Sequence, residues 1–445
     1  MLQKHKRMLW LAAGLAAATP AWSLDLLQAY ETALAQDATV RAARAAADAG
    51  RERLPQARAQ LLPNLAYSGQ RNVNDLTRDQ PNSLGVPTVF KDQYNSLNQT
   101  LTLRQPLFRL SLWANYQQAQ YVVDDVNAVL ERELKNLSVR VATAYMEALL
   151  AKDQLDLVLA QKVFVTTQLD VAKKTFAAGS GTRTDIDEAR ARLDMNLAQE
   201  LEARQNLEFT RRQLEVLISR PVDQIEPLNV KRMPLLDPQP ALLSDWIDRA
   251  EQANPDIVSL RARAQAARLE VNKAQGGHFP TVDAVAQWVN SSSENVNTPN
   301  SSYTNKTLGI QVSVPLFSGG YVSSTVRQAV AEQQRADETL EAARLDLGVR
   351  VHKEFRNVTE GIAKVRALEQ AVASAELLAR STRKSFEAGS RTLSDVLNTE
   401  QQKQLTLRDL AQARYLYMSA RIRLFALAGE DPRTGIEQTN AWLGE

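Results

Sequence analysis

The sequence predicts a mainly α-helical chain that also carries four strands of a membrane β-barrel and is built from two copies of one unit. Three observations predict this class. First, the 16 prolines avoid two windows, Leu107 to Arg220 and Leu316 to Asp431. An interior proline costs a helix about 3 kcal/mol, so gaps of that length point to very long helices. Second, the windows repeat each other. Phe176-Ala-Ala-Gly179-Ser-Gly-Thr-Arg-Thr184-Asp185 matches Phe386-Glu-Ala-Gly389-Ser-Arg-Thr-Leu-Ser394-Asp395 at an offset of 210 positions. Gln105-Pro106-Leu107-Phe108 matches Val314-Pro315-Leu316-Phe317 at 209, and Leu62-Pro63-Asn64-Leu65 matches Phe279-Pro280-Thr281-Val282 at 217. One duplicated unit covers nearly the whole chain. Third, short segments outside the windows alternate apolar and polar residues with the period of a strand that has one apolar face.

The N-terminus reads as a secretory signal over residues 1–23. Lys4, Lys6 and Arg7 precede the apolar run Met8–Ala18, and Ala21-Trp22-Ser23 sets small residues at the −3 and −1 positions of a cleavage before Leu24. The run is too short to span a bilayer, which takes roughly 20 apolar residues. The chain has no cysteine. That excludes a disulfide framework, thiol catalysis, cysteine-based zinc sites and a lipid-modified anchor. Its 53 basic and 51 acidic residues nearly cancel and are spread along the chain, so the basic patch of a nucleic-acid binder is missing and no nucleic-acid partner is expected.

The first repeat, 24–220, holds a short helix to about Gln60, strands at about 65–73 and 95–105, a long helix over 107–178, a tip turn at 179–183 and a helix over 184–219. A linker at 221–242 is marked by Pro221, Pro227, Pro234, Pro238 and Pro240. The second repeat, 243–428, holds a helix at 243–275, strands at about 281–289 and 307–315, a long helix over 316–388, a tip turn at 389–393 and a helix over 394–428. Residues 429–445 form a tail. The helical evidence is the three-and-four stepping of Val123, Val126, Leu130, Leu134, Leu137 and Val141, and of Leu340, Ala343, Leu347, Val351, Phe355 and Val358, near the period of packed helices. The strand evidence is strongest at Leu308, Ile310, Val312 and Val314, interleaved with Gly309, Gln311 and Ser313. Polar stretches at Asn74–Lys91 and Asn290–Asn305 read as loops.

Strands of about ten residues suit a transmembrane barrel. Four strands cannot close one, and an open sheet edge cannot sit in lipid with its N–H and C=O groups unpaired. Other copies must therefore complete the barrel. Two copies give eight strands, enough for a filled interior, and three give twelve and a lumen; the count demands an oligomer and favours a trimer. A helix of about 72 residues reaches roughly 110 Å, too tall for a bilayer, so most of the molecule lies beside the membrane.

The two repeats, the Pro-Leu-Phe junctions and the Phe-x-Ala-Gly…Asp turns resemble the TolC family of outer-membrane factors over essentially all of the mature chain. The most specific stretch is Phe386–Leu397, FEAGSRTLSDVL, followed by the region around Tyr415–Arg423. The resemblance implies a homotrimeric twelve-stranded barrel in outer-membrane lipid of a Gram-negative cell, continuous with a helical coiled-coil tunnel in the periplasm. It implies a passive export conduit that docks a periplasmic adaptor and an inner-membrane transporter of ABC or RND type. It also implies a gate at the helical tips in which Arg391 meets Thr184 and Asp185. A surface pair with no gating role is the alternative reading of those residues. The family's tyrosine link falls at Phe386, which lacks a hydroxyl. Asp395 falls at an inner acidic ring that sets lumen selectivity, and the next acidic position of the family is Asn398 here. Gly179, Gly181 and Gly389 are expected to supply positive φ in the tip turns, with adaptor docking as a second role. Phe108, Trp113, Trp288, Tyr303 and Phe317 are candidates for interfacial girdles or for ordinary packing.

Catalytic and metal signals are poor, and no cofactor is expected. The histidines are His5, His278 and His352, without metal-ligand spacing. Ser381-Thr-Arg-Lys384 matches S-x-x-K but lies in a long helix without companion motifs. The competing reading is a soluble periplasmic coiled-coil adaptor or scaffold, which leaves the four strands unexplained. Small-molecule efflux and type I protein secretion both remain open as cargo, and the missing lipobox leans toward secretion.

Overall fold

The computed structural model describes residues 23–81, 83–293 and 301–444. The signal segment, apart from Ser23, lies outside the described residues, as does part of the polar stretch at 290–305. The element order is α1 (Leu26–Gln36), α2 (Ala38–Arg51), α3 (Arg53–Ala59), β1 (Asn64–Pro81), β2 (Pro87–Phe108), α4 (Leu110–Ala177) and α5 (Arg183–Ile218). These are followed by α6 (Leu243–Ala253), α7 (Pro255–Gln275), β3 (Thr281–Ser292), β4 (Ser302–Ser313), α8 (Tyr321–Glu387), α9 (Leu393–Leu427) and α10 (Pro432–Asn440).

Helices α4 and α8, of 68 and 67 residues, are each about 100 Å long. The shorter helices lie along them: α1–α3 and α5 against α4, and α6, α7 and α9 against α8, with α4 also packed on α7 and α9. The helix expected over 24–60 is three segments, and that over 243–275 is two. The breaks fall at equivalent positions of the repeats. Asp37 and Asn254 adopt extended backbone (ψ 126° and 125°), ending one helix and capping the next by accepting from the N–H of Val40 and of Asp256. Pro255 then opens α7, where a missing N–H removes no helical bond.

The four strands form one antiparallel sheet in the order β1-β2-β3-β4. The first hairpin is longer than 65–73 and 95–105: its register runs unbroken from Asn64↔Arg104 to Pro81↔Pro87. Most of the stretch read as a loop, Asn74–Lys91, is thus strand, because its polar residues are interspersed with Thr77, Thr88, Val89 and Phe90, which suit a pleated backbone. Pairing of β2 to β3 stops at Leu97↔Ser292, so the outer part of the hairpin rises as a two-stranded ribbon. Strand β4 ends at Ser313, short of the expected 315. Leu65, Tyr67, Leu101, Leu103, Ile310 and Val312 share one exposed face by register. The opposite face carries Ser68, Gln70, Asn98, Thr100, Thr307 and Gln311. That is the lipid-out, water-in alternation of a barrel wall. Among the described residues no helix is long and apolar enough to cross a membrane.

The main core sits at mid-height, where Leu26, Leu137, Tyr145, Trp246, Leu347 and Tyr417 are buried together. The tail is part of it. Ile436 of α10, with Trp442 and Leu443 beyond it, is buried there, and Leu443 pairs with Leu228 of the linker. Of the aromatic candidates, Phe108, Trp113 and Phe317 are exposed at the strand–helix junction, as a girdle requires. Tyr303 lies at the other end, on the inward side by register with Ser291.

Candidate channel gate at the helical tips

Helices α4 and α8 end alike. After Ala178 and Ala388, Gly179 and Gly389 both take φ 79°, and their N–H groups donate to the carbonyls of Phe176 and Phe386. Glycine carries no steric penalty there. Gly181 departs from the expectation, since its φ is not positive. Its N–H donates to Thr175 O, and an added Cβ would lie 2.9 Å from Phe176 N and 2.8 Å from Thr175 Oγ1. Close backbone approach, not handedness, selects glycine at that position.

The next helices open with paired capping boxes. Thr182 Oγ1 accepts from Asp185 N (3.1 Å) while Asp185 Oδ2 accepts from Thr182 N (3.0 Å), and Thr392 and Asp395 repeat the arrangement. The Thr-x-x-Asp spacing ahead of an apolar run is the readable signature of this motif. The backbone N–H of Thr392, then its hydroxyl and the more distant Arg391, hold the Asp395 carboxyl below its ordinary range. The Asp395 carboxylate therefore stays ionised near neutral pH, and both capping carboxylates sit at the positive end of their helices.

Within one chain Arg391 approaches Asp395 (4.0 Å) and pairs with neither Thr184 nor Asp185. Its side chain is 60% exposed at the tip. Phe386 packs against an apolar cluster of Val165, Leu169, Ala172, Ala189, Leu393 and Leu397. Because Leu393 and Leu397 belong to α9 and the others to α4 and α5, this cluster joins the two helical hairpins. Apolar packing thus occupies the position where a hydroxyl link is missing.

Three further contacts bridge the hairpins. Arg192 of α5 donates to Asn398 Oδ1 (2.7 Å) and Gln401 Oε1 (2.5 Å) of α9, and Ser394 Oγ donates to Glu188 Oε1 (2.9 Å). Asn398 is therefore a hydrogen-bond partner of α5. Arg192, Glu188 and Gln401 escaped the sequence reading, because charged residues on a long helix read as a solvated face and nothing local shows which helix they meet. Arg383 adds a guanidinium 5.1 Å from the centre of the Phe164 ring, joining α8 to α4.

A sheet with open edges and one apolar face, continuous with two helical hairpins about 100 Å tall that are laced together at their tips, defines one protomer of an outer-membrane channel. The chain belongs to the outer membrane efflux protein family, whose model matches residues 29–220 and 246–430, one repeat each. It is 34% identical over 425 residues to the proteases secretion protein PrtF of Dickeya chrysanthemi, covering 95% of this chain and 92% of that one. It is 36% identical over 413 residues to the alkaline protease secretion protein AprF of Pseudomonas aeruginosa, covering 92% and 85%. It is 28% identical to the outer membrane protein TolC of Escherichia coli, covering 91% and 82%. Among solved structures its fold is similar to CusC (TM-score 0.81, 16% identity, 92% and 93% covered) and to the outer membrane protein VceC of Vibrio cholerae (0.78, 19%, 91% and 96%). The protein is an outer-membrane factor that extends into the periplasm, and its fold is that of trimeric channels with a strand barrel above a helical tunnel.

Proposed function

We propose that this chain forms the exit duct of a tripartite export system, a passive trimeric conduit closed at its periplasmic tips and used for type I protein secretion. The observation that carries the conduit is the sheet: four strands, apolar on one face and polar on the other, with unpaired edges on β1 and β4 that only further copies can satisfy in lipid. A soluble scaffold would leave Leu308, 85% exposed, and its neighbours Ile310 and Val312 in water. Support for protein cargo comes from the two relatives above 30% identity, both named for protease secretion. In this reading the partners are a periplasmic adaptor seated at the tip turns around Gly179, Gly181 and Gly389, and an inner-membrane transporter of the ABC type. Replacement of the exit protein in a protease-secreting strain tests the cargo. Extracellular protease should return, and a strain that restores drug resistance without secretion would transfer the duct to small molecules.

The tip contacts support a gate there. Arg391 reaches across to the Thr184–Asp185 corner of a neighbouring copy, while Arg192 holds α9 to α5 within each copy. Asp395 supplies one carboxylate per protomer to the constriction, and Asn398 supplies none, so polyvalent cations block at a single ring. An exposed polar link contributes about 0–1 kcal/mol, but three copies act on one opening. Single-channel recordings should therefore show conductance rising in Arg391→Ser, rising again when Arg192→Ala is added, and unchanged by Arg183→Ala, whose charge pairs with Asp187 on its own helix (3.5 Å). Equal conductance in all four proteins would remove both arginines from the gate.

A further inference from the structure

The inward face of the barrel wall is almost free of charge. Register places the even-numbered residues of β1 and β2 and the odd-numbered residues of β3 and β4 on that face. Over 64–72, 96–108, 281–291 and 303–313 these positions hold small and polar neutral residues, a few apolar ones, and two charged side chains, Arg104 and Asp283. They meet at the periplasmic end of the barrel. Arg104 donates to Asp283 Oδ2 from Nε (2.9 Å) and Nη2 (2.5 Å). Arg109, the residue that leads β2 into α4, donates from Nε to Oδ1 (2.8 Å) and from Nη2 to Oδ2 (2.5 Å).

The single carboxylate is enclosed and the guanidiniums are not. Asp283 is 2% exposed, whereas Arg104 is 46% exposed and Arg109 27%. Two guanidiniums against one carboxylate leave a net charge of one positive unit per chain. Asp283 spends both oxygens on the arginines, so it fixes them in place and its own field is turned toward them. The Nη1 group of each guanidinium makes none of these bonds. Strands β2 and β3 are the two central strands of the sheet. Neighbouring copies join at β1 and β4 and leave this face open to the lumen.

We propose that the Arg104–Asp283–Arg109 clusters form a ring of net positive charge at the floor of the barrel, an electrostatic filter that favours anions in the lumen. The inference rests on the trimeric conduit reading. The ring lies at the opposite end of the tunnel from the Asp395 carboxylates, so an acidic constriction and a basic floor act in series on whatever passes. Over the four-stranded part of the wall no other charged side chain shares this face, the inward Arg78 and Asp92 lying beyond it on the outer hairpin. At about 0.1 M salt its field reaches about 10 Å into the lumen.

The test is the reversal potential of single channels in a KCl gradient at low salt, in an Asp395→Asn background so that the tip carboxylates do not dominate. Arg104→Gln neutralises the cluster and leaves Asp283 paired with Arg109, so no buried carboxylate is orphaned. It should move the reversal potential toward that of potassium. Arg104→Lys keeps the charge and should stay near the parent. The difference should fade near 1 M salt, where the screening length drops to about 3 Å. A conducting parent whose reversal potential does not change in Arg104→Gln at low salt, or a shift that persists undiminished at high salt, would overturn the filter and leave the conduit standing. A folded parent trimer that forms no channel would overturn the conduit and the filter together.

Discussion

Replacing Gly429 by alanine is expected to be among the most damaging single changes in the helical part of the molecule. Helix α9 ends at Leu427 with Ala428 as its C-cap, and Gly429 turns the chain with φ 78° while Glu430 N donates back to Phe425 O (3.1 Å). An alanine there carries a backbone penalty of roughly 1–2 kcal/mol for the left-handed conformation. Space adds more. A Cβ would stand 2.6 Å from both Ala253 Cβ and Ala253 O, and the neighbour is backbone at the end of α6. The surroundings are tied down: Asn254 Nδ2 donates to Leu427 O (3.0 Å), and Lys135 Nζ donates to Gly429 O (2.5 Å) and Glu430 O (3.0 Å). Overpacking against fixed backbone costs about 1–3 kcal/mol. The sum, about 2–5 kcal/mol per copy, should appear in thermal or urea unfolding as a large fall in the midpoint and as loss of assembled trimer. Gly389→Ala is the internal comparison. It has the same backbone sign but open space around the added Cβ, so it should show only the smaller backbone cost. Equal effects at the two sites would mean that the contact with Ala253 has no role.

Ile310→Arg should abolish stable insertion. Ile310 lies on the outward face of β4, 69% exposed, between Leu308 and Val312 and opposite Ala284 of β3. A cation on the lipid face costs about 2–4 kcal/mol near the bilayer centre, and the trimer meets that cost three times. The adjacent Gln311 faces inward, so Gln311→Arg puts the same side chain into water and should assemble normally. Heat-modifiable trimer in outer-membrane fractions reads both. If Ile310→Arg inserts as well as Gln311→Arg, the assignment of faces is inverted and the barrel reading fails with it.

The sequence made the long helices legible because their absent prolines and periodic apolar stripe report one physical fact, an uninterrupted hydrogen-bond ladder buried along one side. Strand β4 was legible for the same kind of reason, since Leu308, Ile310 and Val312 alternate strictly with small or polar residues. The outer half of the β1–β2 hairpin was not. Its even-numbered side is partly buried, with Tyr94 and Ser96 enclosed, but that side mixes Leu76, Phe90 and Tyr94 with Asn74, Arg78 and Asp92, so the residue types show no clean alternation. The break at Asp37 was also hidden, since the helices on either side share one stripe and only the cap geometry separates them. The part played by the tail at 429–445 was not legible, because a nine-residue helix and the pair Trp442-Leu443 carry little periodic signal, yet they close the mid-height core. At the tips, local motifs were readable and partners were not. Thr182 and Asp185 announce a cap by spacing alone, whereas the reach of Arg192 to Asn398 spans 206 positions. Asp283 stood in plain view as the one carboxylate among the alternating residues of its strand, but its arginines arrive from β2 and from the step into α4.

Planar-bilayer recording with protein purified as a folded trimer from outer membranes would show whether the chain forms a conduit. A conduit with closed tips should give discrete single-channel steps of small conductance, enlarged by Arg391→Ser. A well-folded, membrane-extracted trimer that gives no conductance steps in either form would contradict the conduit itself.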